Sequence, residues 1–130
     1  SILRLIRDLA AERQVACLFV SHDLAVVQVL AHRVAVLYRG HLVEIGPARA
    51  VCTAPAHPYT RALVAAVLEP DRGGALSDIR PLSDEDDRDS RGCPYAGRCV
   101  ARLEKCSAEA PSWQAGADGH GACCHLLAAD

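Results

Sequence analysis

Cys93, Cys99 and Cys106 stand close together, and Cys123 and Cys124 follow near the C-terminus. Thiols at this density can close disulfides, bind a metal ion or hold an iron–sulfur cluster. Disulfides need an oxidising compartment, whereas metal and cluster binding need reduced thiolates. The C-x5-C-x6-C spacing lacks the tight C-x2-4-C knuckle with which zinc sites usually begin. Iron–sulfur clusters also take four cysteine thiolates, on more varied spacings. His120 and His125 lie in the same stretch and keep a mixed Cys/His zinc site open. Cys17 and Cys52 stand in apolar or helical contexts, which predicts packed thiols.

His22 is the second residue with chemistry in reach. It follows the continuous apolar run of residues 15–20, inside Ser21-His22-Asp23, and precedes an apolar helix-forming stretch. In open α/β sheets ligands gather outside the carboxyl ends of the strands, and a helix N-terminus there favours anions. A histidine at such an edge can donate a hydrogen bond to a phosphate oxygen or to an attacking water. A polar loop residue with no ligand would satisfy the same position.

The rest of the chain limits these options. Its 130 residues are 51% hydrophobic but only 4% aromatic, and the net charge is −2. Lys105 is the sole lysine. Such a balance offers no basic footprint for nucleic acid. There is neither an apolar run long enough to span a membrane nor the apolar core and cleavage site of a signal peptide. A reducing compartment is therefore expected, and with it metal binding or reduced thiols rather than a disulfide framework.

Several elements must position these residues. Ile2, Leu5, Ile6 and Leu9 predict a helix with one buried stripe and no clear cap before it. Residues 15–20 predict a strand covered on both faces, as in a parallel sheet. Ser21 or Asp23 can cap the helix that follows. Residues 34–38 and 42–45 predict an antiparallel hairpin around Arg39-Gly40-His41, ended by Gly46-Pro47. A short helix over 48–52 comes next. A longer one starts near Pro58, carries Leu63, Val64 and Val67, and closes at Pro70. Residues 71–90 are polar and acidic and read as a linker. Residues 91–126 then form a separate small unit. It is poor in large apolar residues and needs a staple to fold, which a bound metal can supply. The fold class is α/β: a buried parallel strand, an antiparallel hairpin and helices, then a small, irregular, Cys-rich tail.

The string LFVSHDLAVVQVLAHRVAVLYRGHLVEIGP resembles the end of the nucleotide-binding subunit of ATP-binding cassette (ABC) transporters. The resemblance implies that His22 is the switch histidine, which contacts the γ-phosphate of ATP. HPYTRALVAAV, residues 57–67, is similar to the subgroup that powers uptake of dipeptides and oligopeptides, and in some members nickel. The tail, from Gly92-Cys93-Pro94 to Cys124-His125-Leu126, resembles the C-terminal region of the same subunits. Some members hold a [4Fe–4S] cluster there, and the matching ligands are Cys93, Cys99, Cys106 and Cys124, with zinc as the runner-up. Cys123 stands where the family usually has alanine. Cys124 is taken as the fourth ligand because it keeps the register with His125-Leu126.

Other family parts do not occur in the sequence. No Gly-rich turn ends in Gly-Lys-Ser/Thr to cradle phosphates. Gly73-Gly74 is followed by Ala75, so the LSGGQ signature is missing, and no apolar strand ends in Asp-Glu. In the family these parts lie upstream of the helix at residue 1. The resemblance thus implies the C-terminal portion of a longer ATPase subunit. Residues 1–70 would be the end of the ABC domain, 71–90 the acidic linker and 91–130 the Cys-rich region. It further implies ATP with magnesium in the intact subunit, a second ABC ATPase subunit, transmembrane permease subunits and, indirectly, a peptide-binding protein. The place is the cytoplasmic face of a bacterial inner membrane, peripherally bound. The chain alone is expected neither to bind ATP tightly nor to hydrolyse it. The alternative is a stand-alone metal- or cluster-binding module with a regulatory or structural role.

Overall fold

The structure is a computed structural model that describes residues 1–68 and 91–128. The expected closure at Pro70 and the linker 71–90 lie outside the described residues.

At its centre is the predicted hairpin. β1 (Arg33–Tyr38) and β2 (His41–Pro47) pair antiparallel, from Arg33↔Pro47 to Tyr38↔His41, with a register shift between Val36 and Leu37. Arg39 and Gly40 form the two-residue loop with φ of 48° and 79°, the primed type of turn that matches strand twist. The far edge of β2 does not stay open. β3 (Trp113–Ala115) and β4 (Gly121–Cys123) come from the Cys-rich tail and complete an antiparallel sheet in the order β1-β2-β4-β3. The joining register is Glu44↔Ala122 and Ile45↔Gly121.

The expectation of a separate, irregular tail is corrected by this sheet. An unpaired strand edge exposes backbone donors and acceptors, and β4 satisfies those of β2. Gly46 permits the approach, since a Cβ there would lie 2.8 Å from His120 Cδ2 and 3.1 Å from His120 Cα.

Among the described residues the α-helices are α1 (Ile2–Arg13), α2 (Leu24–Leu30), α3 (Ala48–Thr53) and α4 (Pro58–Leu68). Val34, Val36, Val43, Ala48 and Val51 form one core cluster, and Leu24, Cys52 and Val64 a second. Leu63 packs against both. Cys52 is thus the packed thiol its context predicts. Val43 and Glu44 are both buried. Successive strand residues point to opposite faces, so β2 is covered on both sides.

Four expectations in the N-terminal part are corrected. Ser1 does cap α1: its Oγ accepts a hydrogen bond from Arg4 N at 3.4 Å. The stripe of α1 exists but is uncovered, with no residue of the helix buried and Ile2 76% exposed. Residues 15–20 are not a buried strand. They have no regular structure, Leu18 and Val20 are 95% and 93% exposed, and Cys17 is exposed rather than packed. A parallel strand takes its hydrogen bonds from neighbouring strands and its cover from helices on both faces, and no described strand pairs with this run. Among the described residues no helix is long and apolar enough to cross a membrane.

Candidate functional site

α4 begins at a histidine. His57 O accepts from Arg61 N at 3.0 Å and His57 Nδ1 accepts from Tyr59 N at 3.0 Å. Pro58 fills the first helical position, where its missing N–H costs nothing. His57 is therefore the N-cap, with its ring in the role usually taken by a serine or aspartate oxygen. An Nδ1 that accepts leaves the ring proton on Nε2. The residue is 1% exposed, and Nε2 has no hydrogen-bond partner among the described residues. Burial pushes its pKa down to about 4, against the pull of Glu44 and with the help of Arg61. The ring is neutral at pH 7.

Glu44 anchors this cap. Its carboxylate is fully buried, and three donors converge on it. Oε1 accepts from Ala56 N at 2.8 Å and meets His120 Nε2 at 2.5 Å, while Oε2 accepts from His57 N at 2.9 Å. One side chain thereby joins β2, the turn before α4 and the tail.

Against this frame lies a small cavity whose lining includes Cys93, Cys99, Cys106, Cys124, His57 and Tyr95. All seven cysteines of the chain are free of disulfides. Leu103 N donates to Cys106 Sγ at 3.4 Å. The backbone N–H groups of Tyr95 and Ala101 serve the thiols of Cys93 and Cys99, and those of Leu126 and Leu127 serve Cys124. Burial first, and then the neighbouring cysteines, push the thiols of Cys93, Cys99 and Cys124 up. Gly92 lets the first cysteine close on the third: a Cβ there would meet Cys106 O at 2.2 Å, and Cys93 N donates to that oxygen at 2.7 Å.

Cys52 and Cys123 provide a contrast. Burial alone raises their thiols, and neither lines the cavity. The two histidines that kept zinc open are engaged at Nε2. His120 holds Glu44, and His125 bonds Glu109 O at 2.8 Å from the cavity wall.

This donor set fits a thiolate-bound inorganic group. Backbone N–H bonds to sulfur stabilise the anionic thiolate over the thiol, and metal binding releases the proton that burial otherwise retains. Among the described residues no three His, Cys, Asp or Glu side chains are placed to hold a metal ion. A single zinc draws its thiolates to about 2.3 Å from one point.

His22 is elsewhere. It sits exposed in the bend before α2 and is not among the cavity-lining residues. Asp23 Oδ1 caps α2 by accepting from Val26 N at 3.3 Å, and Ser21 Oγ accepts from Asp23 N at 3.0 Å. Both polar neighbours shape the turn, and His22 is left exposed beside them.

Sequence reasoning missed Glu44, His57 and Tyr95. A histidine directly before proline at a helix start is a capping signal, but it served only as a family marker. A lone carboxylate in an apolar strand carried no signal for its three partners.

The chain is similar along most of its length to ATP-binding proteins of peptide ABC transporters. More particularly, it carries the oligopeptide/dipeptide transporter C-terminal region, whose family model matches residues 43–106. The match crosses from β2 to the third cysteine of the cavity. Over 130 residues the chain is 42% identical to a probable peptide ABC transporter ATP-binding protein of Sinorhizobium fredii, covering 98% of this chain and 36% of that protein. Over 66 residues it is 58% identical to the glutathione import ATP-binding protein GsiA of Salmonella typhimurium, covering 51% of this chain and 11% of GsiA. The chain thus spans about a third of the first relative's length.

Proposed function

We propose that the chain is the γ-phosphate-sensing, cluster-bearing C-terminal part of the ATP-binding subunit of a bacterial importer of dipeptides or oligopeptides, or of nickel as in some members. In this reading residues 1–70 end the ABC domain, 71–90 link and 91–130 carry the cysteine site. The subunit works with magnesium ATP at the cytoplasmic face of the inner membrane. It pairs with a second ATP-binding subunit, drives the permease subunits and is supplied by a peptide-binding protein. The observation that carries this reading is the 42% identity to a peptide ABC transporter ATP-binding protein across 98% of the chain.

Local observations support the two sites. His22 stands exposed at a turn whose polar neighbours are already bonded, so its ring is available to a phosphate. The exposed stripe of α1 and the apolar run 15–20 are surfaces that the remainder of an ATPase domain would cover. Cys93, Cys99, Cys106 and Cys124 would hold the [4Fe–4S] cluster, each with a backbone donor at its sulfur.

Anaerobic purification of the full-length subunit, followed by iron and acid-labile sulfide assay, tests the cluster. Iron and sulfide in equal amounts are expected, near the four of each in a [4Fe–4S] group. A colourless, iron-free, zinc-loaded protein overturns it.

A further inference from the structure

His57 Nε2 is a buried donor with no acceptor among the described residues, and it belongs to a residue that lines the cysteine cavity. The tautomer is set from the other side of the ring, where Nδ1 accepts the backbone N–H of Tyr59, so the proton is on Nε2. Tyr95 lines the same cavity, and its hydroxyl is likewise buried without a partner. Buried polar groups in folded proteins almost always find a partner, and exceptions point to a water, an ion or a functional role. The two orphaned donors flank four thiols that turn anionic when they take up a metal. Cap, cavity wall and donor are thus one residue, held from behind by Glu44 Oε2 on His57 N.

We infer that His57 donates its Nε2–H to a sulfur of the inorganic group held by Cys93, Cys99, Cys106 and Cys124, and so sets the ease with which that group is reduced. This rests on the cluster reading above. Reduction adds negative charge to the cluster, and a donor at its sulfur stabilises the reduced form more than the oxidised one. Removing the donor lowers the reduction potential.

The test compares wild type with His57→Asn in the full-length subunit, purified without oxygen. Asparagine keeps an oxygen near the Nδ1 position to accept from Tyr59 N and removes the Nε2–H. Iron content, thermal melting and a redox titration followed by electron paramagnetic resonance are measured together. The expected result is an iron-loaded variant with a lower midpoint. At the wild-type midpoint its oxidised-to-reduced ratio rises about tenfold, ~59 mV for a one-electron couple. His57→Gln, whose amide can donate from nearly the same place, should restore part of the shift. A fold effect alone would lower the melting temperature of the asparagine variant and leave the midpoint unmoved.

An iron-loaded wild type with an unshifted His57→Asn midpoint overturns this inference alone. An iron-free wild type overturns the cluster reading and this inference with it. If His57→Asn does not retain iron, wild-type protein labelled with 15N-histidine decides: no 15N hyperfine coupling to the reduced cluster overturns the inference. Coupling that survives in His57→Gln without loss also overturns it, because the signal then comes from His125.

Discussion

Glu44→Ala is expected to destabilise the fold by about 3–5 kcal/mol, the range for removing one partner of a buried charged contact. The reason is the number of donors left behind. Ala56 N, His57 N and His120 Nε2 all point at this carboxylate, and each donor stranded without water costs about 1–3 kcal/mol. The three losses do not add fully, because the turn at 55–57 can relax toward solvent once its anchor is gone. The damage would also spread beyond β2. The cap of α4 loses its anchor, and the tail loses the contact through His120, so the cysteine cavity loses its back wall. Glu44→Gln keeps the shape and one acceptor oxygen but turns an amide N–H toward a backbone donor, so its cost should be intermediate. Urea denaturation of the three proteins, read by circular dichroism, gives the comparison. A loss below about 1 kcal/mol for Glu44→Ala would mean that water replaces the carboxylate and that the hub is not structural.

His22→Ala should lower ATP turnover of the full-length subunit by about 10²–10³-fold, the usual cost of removing one hydrogen-bond donor that stabilises charge in the transition state. If the ring contacts the γ-phosphate in the transition state, kcat falls and KM for ATP changes little. Folding should be unaffected, within about 0.5 kcal/mol, because the side chain is exposed and has no hydrogen-bond partner among the described residues. Steady-state phosphate release with a parallel thermal melt separates the two effects. A variant with unchanged kcat would remove His22 from the mechanism and return it to a polar loop residue.

The parts legible in the sequence are those whose forces are local. The spacing of Ile2, Leu5, Ile6 and Leu9 identifies α1 because a helix bonds residues four apart. The β1–β2 hairpin is legible from Arg39-Gly40 because a two-residue turn sets its own register. Asp23 and Pro58 mark helix starts through the same short-range bonds. Covering is not local. Residues 15–20 have the composition of a buried strand, yet they are exposed, because neighbouring strands would have to supply their hydrogen bonds. The cysteine positions were legible as a set through their resemblance to a family. Their spacing alone left disulfide, zinc and cluster open.

The sequence by itself determined where α2 and α4 start and where the hairpin turns, and its resemblance to a family singled out four thiols. Only the tertiary structure decided that the tail joins the hairpin sheet at Glu44↔Ala122, that Glu44 holds three segments, and that His57 faces inward as an unpartnered donor. Those outcomes depend on contacts between residues far apart in the chain. Their energy comes from burial and from the partners that burial brings within reach, and no short window of sequence contains both sides of such a contact.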